Sequence, residues 1–263
     1  MSRVRLGAVS YLNTKPLVYG LDQRADLFDV RFDVPAQCAT LLHDGLVDIG
    51  LIPAIEYQRG EYQIVPGVAI GSDGPIDSVA LFSRVPLTGI RTLALDISSR
   101  TSVALTRILC ARHWGIAPRF TPAEPRLDAM LDRADAALVI GDNALWLDPA
   151  AHGVTKVDLG AAWREMTGLP FVYAVWTGRA GAATPDHVAA LQAARDAGLG
   201  AIDAIAREAS GGDAARTPRI AAYLRDNLKY ALGEAEVEGL RRFHALAAEH
   251  GLIPGLRPLR FYA

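Results

Sequence analysis

Four short polar stretches carry the side chains most able to do chemistry: Ser10-Tyr11-Leu12-Asn13-Thr14, the turn "GSDGPIDS" (71–78), "DISSRTS" (96–102) and "GDNA" (141–144). Hydroxyls and amides dominate them. Such groups donate hydrogen bonds to oxygen anions and hold a small molecule in one pose. The third stretch is the most direct to read. Ser98, Ser99, Arg100, Thr101 and Ser102 stand where a helix begins, and the first N–H groups of a helix have no partner inside it. A carboxylate or phosphate is attracted to such an end. Plain N-capping by Ser98 or Ser99 explains the same residues, and both readings stand at this level. Asn13 and Thr14 likewise either cap a helix opening near Pro16 or face a ligand. Asp142 and Asn143 carry the same ambiguity. Tyr11 fits a core position with its hydroxyl satisfied locally, and Lys15 and Arg100 fit solvated positions.

Other chemistries have little material to work with. The two cysteines, Cys38 and Cys110, form no CxxC and read as buried thiols. The six histidines show no metal spacing such as HExxH. No metal and no cofactor are expected. Net charge is −2 with 21% charged residues, so no basic face is available for nucleic acid or a membrane surface, and neither is an expected partner. An anionic ligand has to be held by local groups. "MSRVRLGAVSY" turns straight into a strand pattern with no leader-like apolar segment, and no run approaches the ~18 apolar residues of a membrane span. A cytoplasmic location is the expectation.

The elements that position these stretches follow from periodicity. Val4, Leu6 and Ala8 form a first strand, and Pro16 sits just inside a helix start. Strands are predicted at 28–35, 47–54, 62–72 and 78–84, with a short helix at "AQCATLLHDG" closed by Gly45. After "VPLTGI" the pattern restarts. A strand at 92–99 leads into the helix "RTSVALTRILCARHWG", whose Ala104, Leu105, Ile108, Leu109 and Ala111 share a face. A strand at 134–145 ends on Gly141-Asp142-Asn143, and another spans 171–178. From Pro185 the chain reads helical, over 185–209, 217–232 and 234–250. The four tryptophans read as packing residues.

Alternating strands and helices predict an α/β fold with mostly parallel sheets. The restart predicts two lobes, 1–86 plus 171–263 and 87–170, with a cleft between them. Ligands bind beyond the carboxyl ends of strands in open α/β sheets, and all four polar stretches fall at such ends.

In combination, "VSYLNTKPL", "GLVDIGLIPAIEY", "GSDGPIDSVALFS", "SRTSVAL", "VIGDNAL" and "WREMTGLPFVYAVW" resemble the chorismate dehydratase family of the futalosine route to menaquinone. The resemblance runs over residues 4–178 in the same order. It implies a two-lobed fold like that of type II periplasmic binding proteins, used as an enzyme: a hydro-lyase that removes water from chorismate to give 3-[(1-carboxyvinyl)oxy]benzoate. A sister family makes 1,4-dihydroxy-6-naphthoate. It carries a Cys-Pro-Asn-Asp-Thr type motif after strand one and a histidine in the second lobe. Here Tyr11-Leu12-Asn13-Thr14 and Gly141-Asp142-Asn143 stand in those places.

Carried over residue by residue, Asn13 and Ser78 match the family's central polar pair and are the expected catalytic residues. Ser10, Tyr11 and Thr14, with Ser99, Arg100, Thr101 and Ser102 and with Gly141, Asp142 and Asn143, form the expected substrate-binding set. The helix start at Ser99–Ser102 is the expected carboxylate site. The resemblance also implies that the substrate's own enolpyruvyl carboxylate is the base. Asp73 and Asp142 would repel a dianionic substrate and are expected to cap turns or helices. A non-catalytic small-carboxylate-binding protein, the sister synthase and a ligand-sensing domain are the alternative readings.

Overall fold

The computed structural model describes residues 3–263; Met1 and Ser2, part of the stretch read for a leader, lie outside the described residues. Two five-stranded sheets organise the chain. The first half contributes β1 (Val4–Val9), β2 (Phe28–Asp33), α1 (Pro35–His43), β3 (Ile49–Pro53) and β4 (Tyr62–Ser72). The chain then crosses to form β5 (Val79–Ser83), β6 (Thr92–Asp96), α2 (Arg100–Arg112), β7 (Arg119–Ala123), α3 (Leu127–Leu131), β8 (Ala136–Ile140), α4 (Gly141–Leu145), β9 (Thr155–Asp158) and α5 (Leu159–Thr167). It returns through β10 (Phe171–Arg179) and closes with α6 (Pro185–Gly200), α7 (Ile202–Ala209), α8 (Arg216–Ala222) and α9 (Glu234–Glu249).

The two sheets share one topology. Their strand orders are β2-β1-β3-β10-β4 and β7-β6-β8-β5-β9. In each, three strands pair in parallel, and the fourth, which carries the crossing, is antiparallel to both its neighbours. Each sheet is therefore mixed and mostly parallel, as expected. Because β5 lies in the second sheet, the first crossing falls in the 73–78 turn, ahead of the restart expected at residue 86.

Central strands are apolar on both faces because helices cover both. β3, β5 and β8 are buried throughout. Trp163, Phe171 and Phe243 pack edge to face, with ring centroids 5.1 Å apart for the first pair and 4.9 Å for Phe171 and Phe243. Trp163 is fully buried and donates its indole N–H to the Pro170 carbonyl at 3.1 Å. Trp176 is also core.

Several elements differ from the sequence reading. Leu12–Val18 is a 3₁₀ segment with Pro16 inside it rather than in the first turn of an α-helix. Helix α6 holds it closely: any Cβ at Gly198 would collide with the Pro16 carbonyl. The strand expected to end at 145 ends at Ile140, because Gly141 takes φ +63 and starts α4. The predicted 185–209 helix breaks at Ala201 into two. The 217–232 helix becomes α8 and a π-helical turn, Tyr223–Asn227, followed by extended chain that bridges Lys229 to Gly71. Strands β7 and β9 and helices α3 and α5 did not stand out in the hydrophobic pattern; β7 and β9 are half-exposed strands at the sheet edges. No helix among the described residues is long and apolar enough to cross a membrane.

Candidate active site

The carboxyl ends of β1, β3, β4, β6 and β8 point at one another across the gap between the sheets, and the polar stretches follow them. There they surround a narrow pocket of about 50 Å³. Its apolar wall includes Val9, Pro35, Pro53, Ile70, Ile76, Val79 and Ile140. Its polar wall comprises Tyr11, Asn13, Ser78, Ser99, Thr101, Ser102 and Tyr173, with the Gly141 backbone beside them. Residues from both sheets therefore face one space.

Each polar group is fixed from behind. Asp96, fully buried at the end of β6, accepts from the Ser98 N–H at 2.9 Å, the Ser98 hydroxyl at 2.6 Å and the Ile140 N–H at 3.3 Å. Burial pushes its carboxyl pKa up, against the pull of the Ser98 bonds. Since Ser98 gives its proton to Asp96, the Tyr11 hydroxyl donates to Ser98 Oγ at 3.2 Å. The Tyr11 ring lies against Gly141, where a Cβ would sit 2.8 Å from it, so this position accepts only glycine. The Leu12 N–H donates to Asp142 at 3.0 and 3.3 Å, tying the first stretch to α4. Burial also raises the Asp142 pKa, opposed by the Leu12 N–H and by Lys15. Thr14, buried behind Asn13, donates to Asn13 Oδ1 at 3.4 Å.

The 73–78 turn is held by Asp158 at the start of α5. Its carboxylate accepts from the Ile76 N–H at 3.1 Å, the Asp77 N–H at 2.6 Å and the Ala161 N–H at 3.0 Å. Asp77 takes φ +66, a conformation Asp tolerates better than most residues, and its carboxylate pairs with Lys156. This turn presents Ser78. At α2, Ser99 caps the helix by accepting from the Ser102 N–H at 3.3 Å, and the Thr101 hydroxyl accepts from the Ile55 N–H across the gap at 3.2 Å. Capping and cleft lining are thus both true of this stretch.

Seven of the twelve expected residues line the pocket: Tyr11, Asn13, Ser78, Ser99, Thr101, Ser102 and Gly141. Thr14 supports Asn13, and Asp142 joins the two halves. Three lie elsewhere. Ser10 is exposed at the end of β1. Asn143 is exposed on α4 because each helical residue turns by about 100°. Arg100 turns out of the pocket to Glu56 Oε2 at 2.7 Å and Thr40 Oγ1 at 3.0 Å. Glu56 is fully buried and also meets Arg59 at 3.0 Å and His43 at 2.9 Å. Burial would raise its pKa, but His43 and the two arginines outweigh it and leave it low. Asp73 pairs with Arg164 at 2.7 Å. Sequence reasoning missed Asp96, Asp158, Tyr173 and Tyr223. Among the described residues no group of three or more His, Cys, Asp or Glu is placed to hold a metal.

Two mixed sheets flanked by helices, with a small-molecule pocket between them, define a periplasmic-binding-protein-like fold. A protein of Archaeoglobus fulgidus, AF1704, shares it with a TM-score of 0.73 at 18% identity, over 95% of this chain and 98% of that one. So does the Candida albicans CA3427 gene product, described as having the generic periplasmic binding protein fold, with a TM-score of 0.67 at 10% identity over 98% of this chain and 92% of that one. The chain belongs to the menaquinone biosynthesis family, whose sequence model matches residues 4–249. A chorismate dehydratase of Thermus thermophilus is 32% identical over 90% of this chain and 93% of its own length.

Proposed function

We propose that this protein is a chorismate dehydratase, a hydro-lyase that forms 3-[(1-carboxyvinyl)oxy]benzoate in the futalosine route to menaquinone, within the cytoplasm. The observation that carries the reading is the pairing of Asn13 and Ser78 on one pocket wall in a chain so close to the Thermus enzyme.

The reaction removes the C3 proton and the C4 hydroxyl, and the ring becomes aromatic. The C3–H electron pair forms the new ring π-bond, the C4–O bond breaks, and the proton and hydroxide leave as water. The pocket wall holds neither histidine nor lysine. No carboxylate lines it, and those around it are engaged: Asp142 by the Leu12 N–H, Asp96 by Ser98 and Asp77 by Lys156. The substrate's enolpyruvyl carboxylate is then the base, and the protein selects the conformer that brings it to C3. Asn13 donates its amide N–H to that carboxylate, or to oxygen at the reacting centre. Ser78 donates to the leaving hydroxyl or to a carboxylate. The start of α2, at Ser99–Ser102, takes the ring carboxylate with backbone N–H groups and hydroxyls. Tyr11 closes the pocket from the β1 side.

Incubating the protein with chorismate and following the reaction by proton NMR tests this directly. Aromatic ring signals should replace the cyclohexadiene signals as one water is lost. Chorismate that binds and stays unchanged would make the protein a binding protein instead.

A further inference from the structure

Tyr223 lies outside the four polar stretches and off the pocket wall, yet it touches one of the pair on which the proposed chemistry depends. Its hydroxyl donates to Ser78 Oγ at 2.7 Å. The ring is 2% exposed. A hydroxyl has one proton to donate. Since Ser78 accepts from Tyr223 and no protein acceptor takes the Ser78 proton among the described residues, that proton points to the pocket that Ser78 lines.

The backbone places Tyr223 deliberately. Arg219 donates to the Leu145 carbonyl of α4, Tyr223 to Ser78, and Asn227 to the Pro75 carbonyl at 3.1 Å. All three acceptors belong to the second sheet's half or to the crossing into it, although the donors follow helices that pack on the first. In an α-helix, four residues advance about 400°, so contacts at steps of four drift by about 40° each time. The wider turn that begins at Tyr223 offsets that drift and keeps Asn227 on the same side. Such π-turns cluster at functional sites. Arg216 and Arg219 also lie over the Trp146 ring, at 4.3 and 4.9 Å.

We propose that Tyr223 is a positioning residue for the dehydration: its hydroxyl fixes the donor direction of Ser78, beside Asn13 on the same pocket wall, and the π-turn delivers it there. The inference rests on the reading of Asn13 and Ser78 as the reacting pair. Burial holds the Tyr223 pKa well above the usual tyrosine value, against the pull of Ser78 and Asn13, so it stays a donor.

Tyr223→Phe removes only the hydroxyl. It should lower kcat for chorismate about 10- to 100-fold with KM within about threefold, the pattern of an interaction made in the transition state. On a Ser78→Ala background the same change should cost less than about threefold, since the two act as one unit. A crystal structure of Tyr223→Phe should show Ser78 Oγ rotated from its native position, a readout that needs no chorismate. Wild-type kcat in Tyr223→Phe, a loss that multiplies in full with Ser78→Ala, or an unmoved Ser78 in the crystal would each overturn the proposal. If the wild-type protein leaves chorismate unchanged, the dehydratase reading fails and the crystal comparison alone decides the placement of Ser78.

Discussion

Ser78 and Arg100 both stand where the two sheets meet, and they differ in what their bonds leave free. Ser78 accepts one hydrogen bond from Tyr223 and keeps its own proton for the pocket. Arg100 uses its guanidinium on Glu56 and Thr40, inside a cluster with Arg59 and His43. By residue type, Arg100 is the better anion ligand. By remaining capacity, Ser78 is. The pocket side of the interface is built from neutral and backbone donors with bonds to spare, while on the Glu56 side one carboxylate oxygen is bonded by Arg100 and His43 and the other is paired with Arg59 by charge alone. Glu56 and Arg100 come from the two halves, so their pairing joins them.

The comparison can be pressed hardest at Glu56. Glu56→Ala removes the buried carboxylate and leaves the part-exposed Arg100 and Arg59 to solvent, and should cost roughly 2–4 kcal/mol in denaturant unfolding through its lost charged hydrogen bonds. A loss below about 1 kcal/mol would mean that the cluster does not hold the halves together.

The same segment, Ala54–Arg59, is anchored by His244, and this gives a pH test of intermediate size. The His244 Nε2–H donates to the Ala54 carbonyl at 2.9 Å, and Nδ1 accepts from Gln58 at 2.8 Å, so the ring is neutral. Burial lowers its pKa to about 4, opposed by the Ala54 bond. Below about pH 6.5 the unfolded chain takes up a proton that the folded protein refuses until about pH 4. Stability should fall as pH drops through that window, by up to about 3 kcal/mol at pH 4. His244→Gln should flatten the fall relative to wild type. Parallel pH–stability curves for the two proteins would show that the ring is not held neutral.

The smallest effect is expected at the carboxylates beside the pocket. Asp73→Asn loses an exposed pair with Arg164, and Asp142→Asn still accepts from the Leu12 N–H through its amide oxygen. Each should keep chorismate turnover within about the hundredfold that lost positioning can cost. A folded, chorismate-binding variant of either that is inert would assign the base to the protein.

Much of this was legible in the sequence because strand ends are legible. Val9, Ser72 and Asp96 end strands close to where periodicity placed the ends, Ile140 ends one earlier than expected, and the residues that follow all four reach one pocket. What escaped depends on three-dimensional closure. Tyr223 falls inside the predicted 217–232 helix, and nothing local marks the π-turn that it opens. Arg100 read as a ligand because its partner Glu56 is 44 residues away. β5 joined the second sheet, against the expected boundary, because crossing strands pair with elements not yet made.

The most direct test of the account sets Asn13→Ala beside Arg100→Met in steady-state assays on chorismate. Asn13→Ala removes a hydrogen bond to charge worth about 1.5–3 kcal/mol, and more if that bond forms in the transition state. Its kcat/KM should fall about 10- to 150-fold, or further if the bond forms in the transition state, with the fold intact by circular dichroism. Arg100→Met should lose stability yet keep kcat/KM within about tenfold, because its guanidinium never faces the substrate. The reverse order, an active Asn13→Ala and an inactive but folded Arg100→Met, would contradict the assignment of the pocket wall as the site of chemistry.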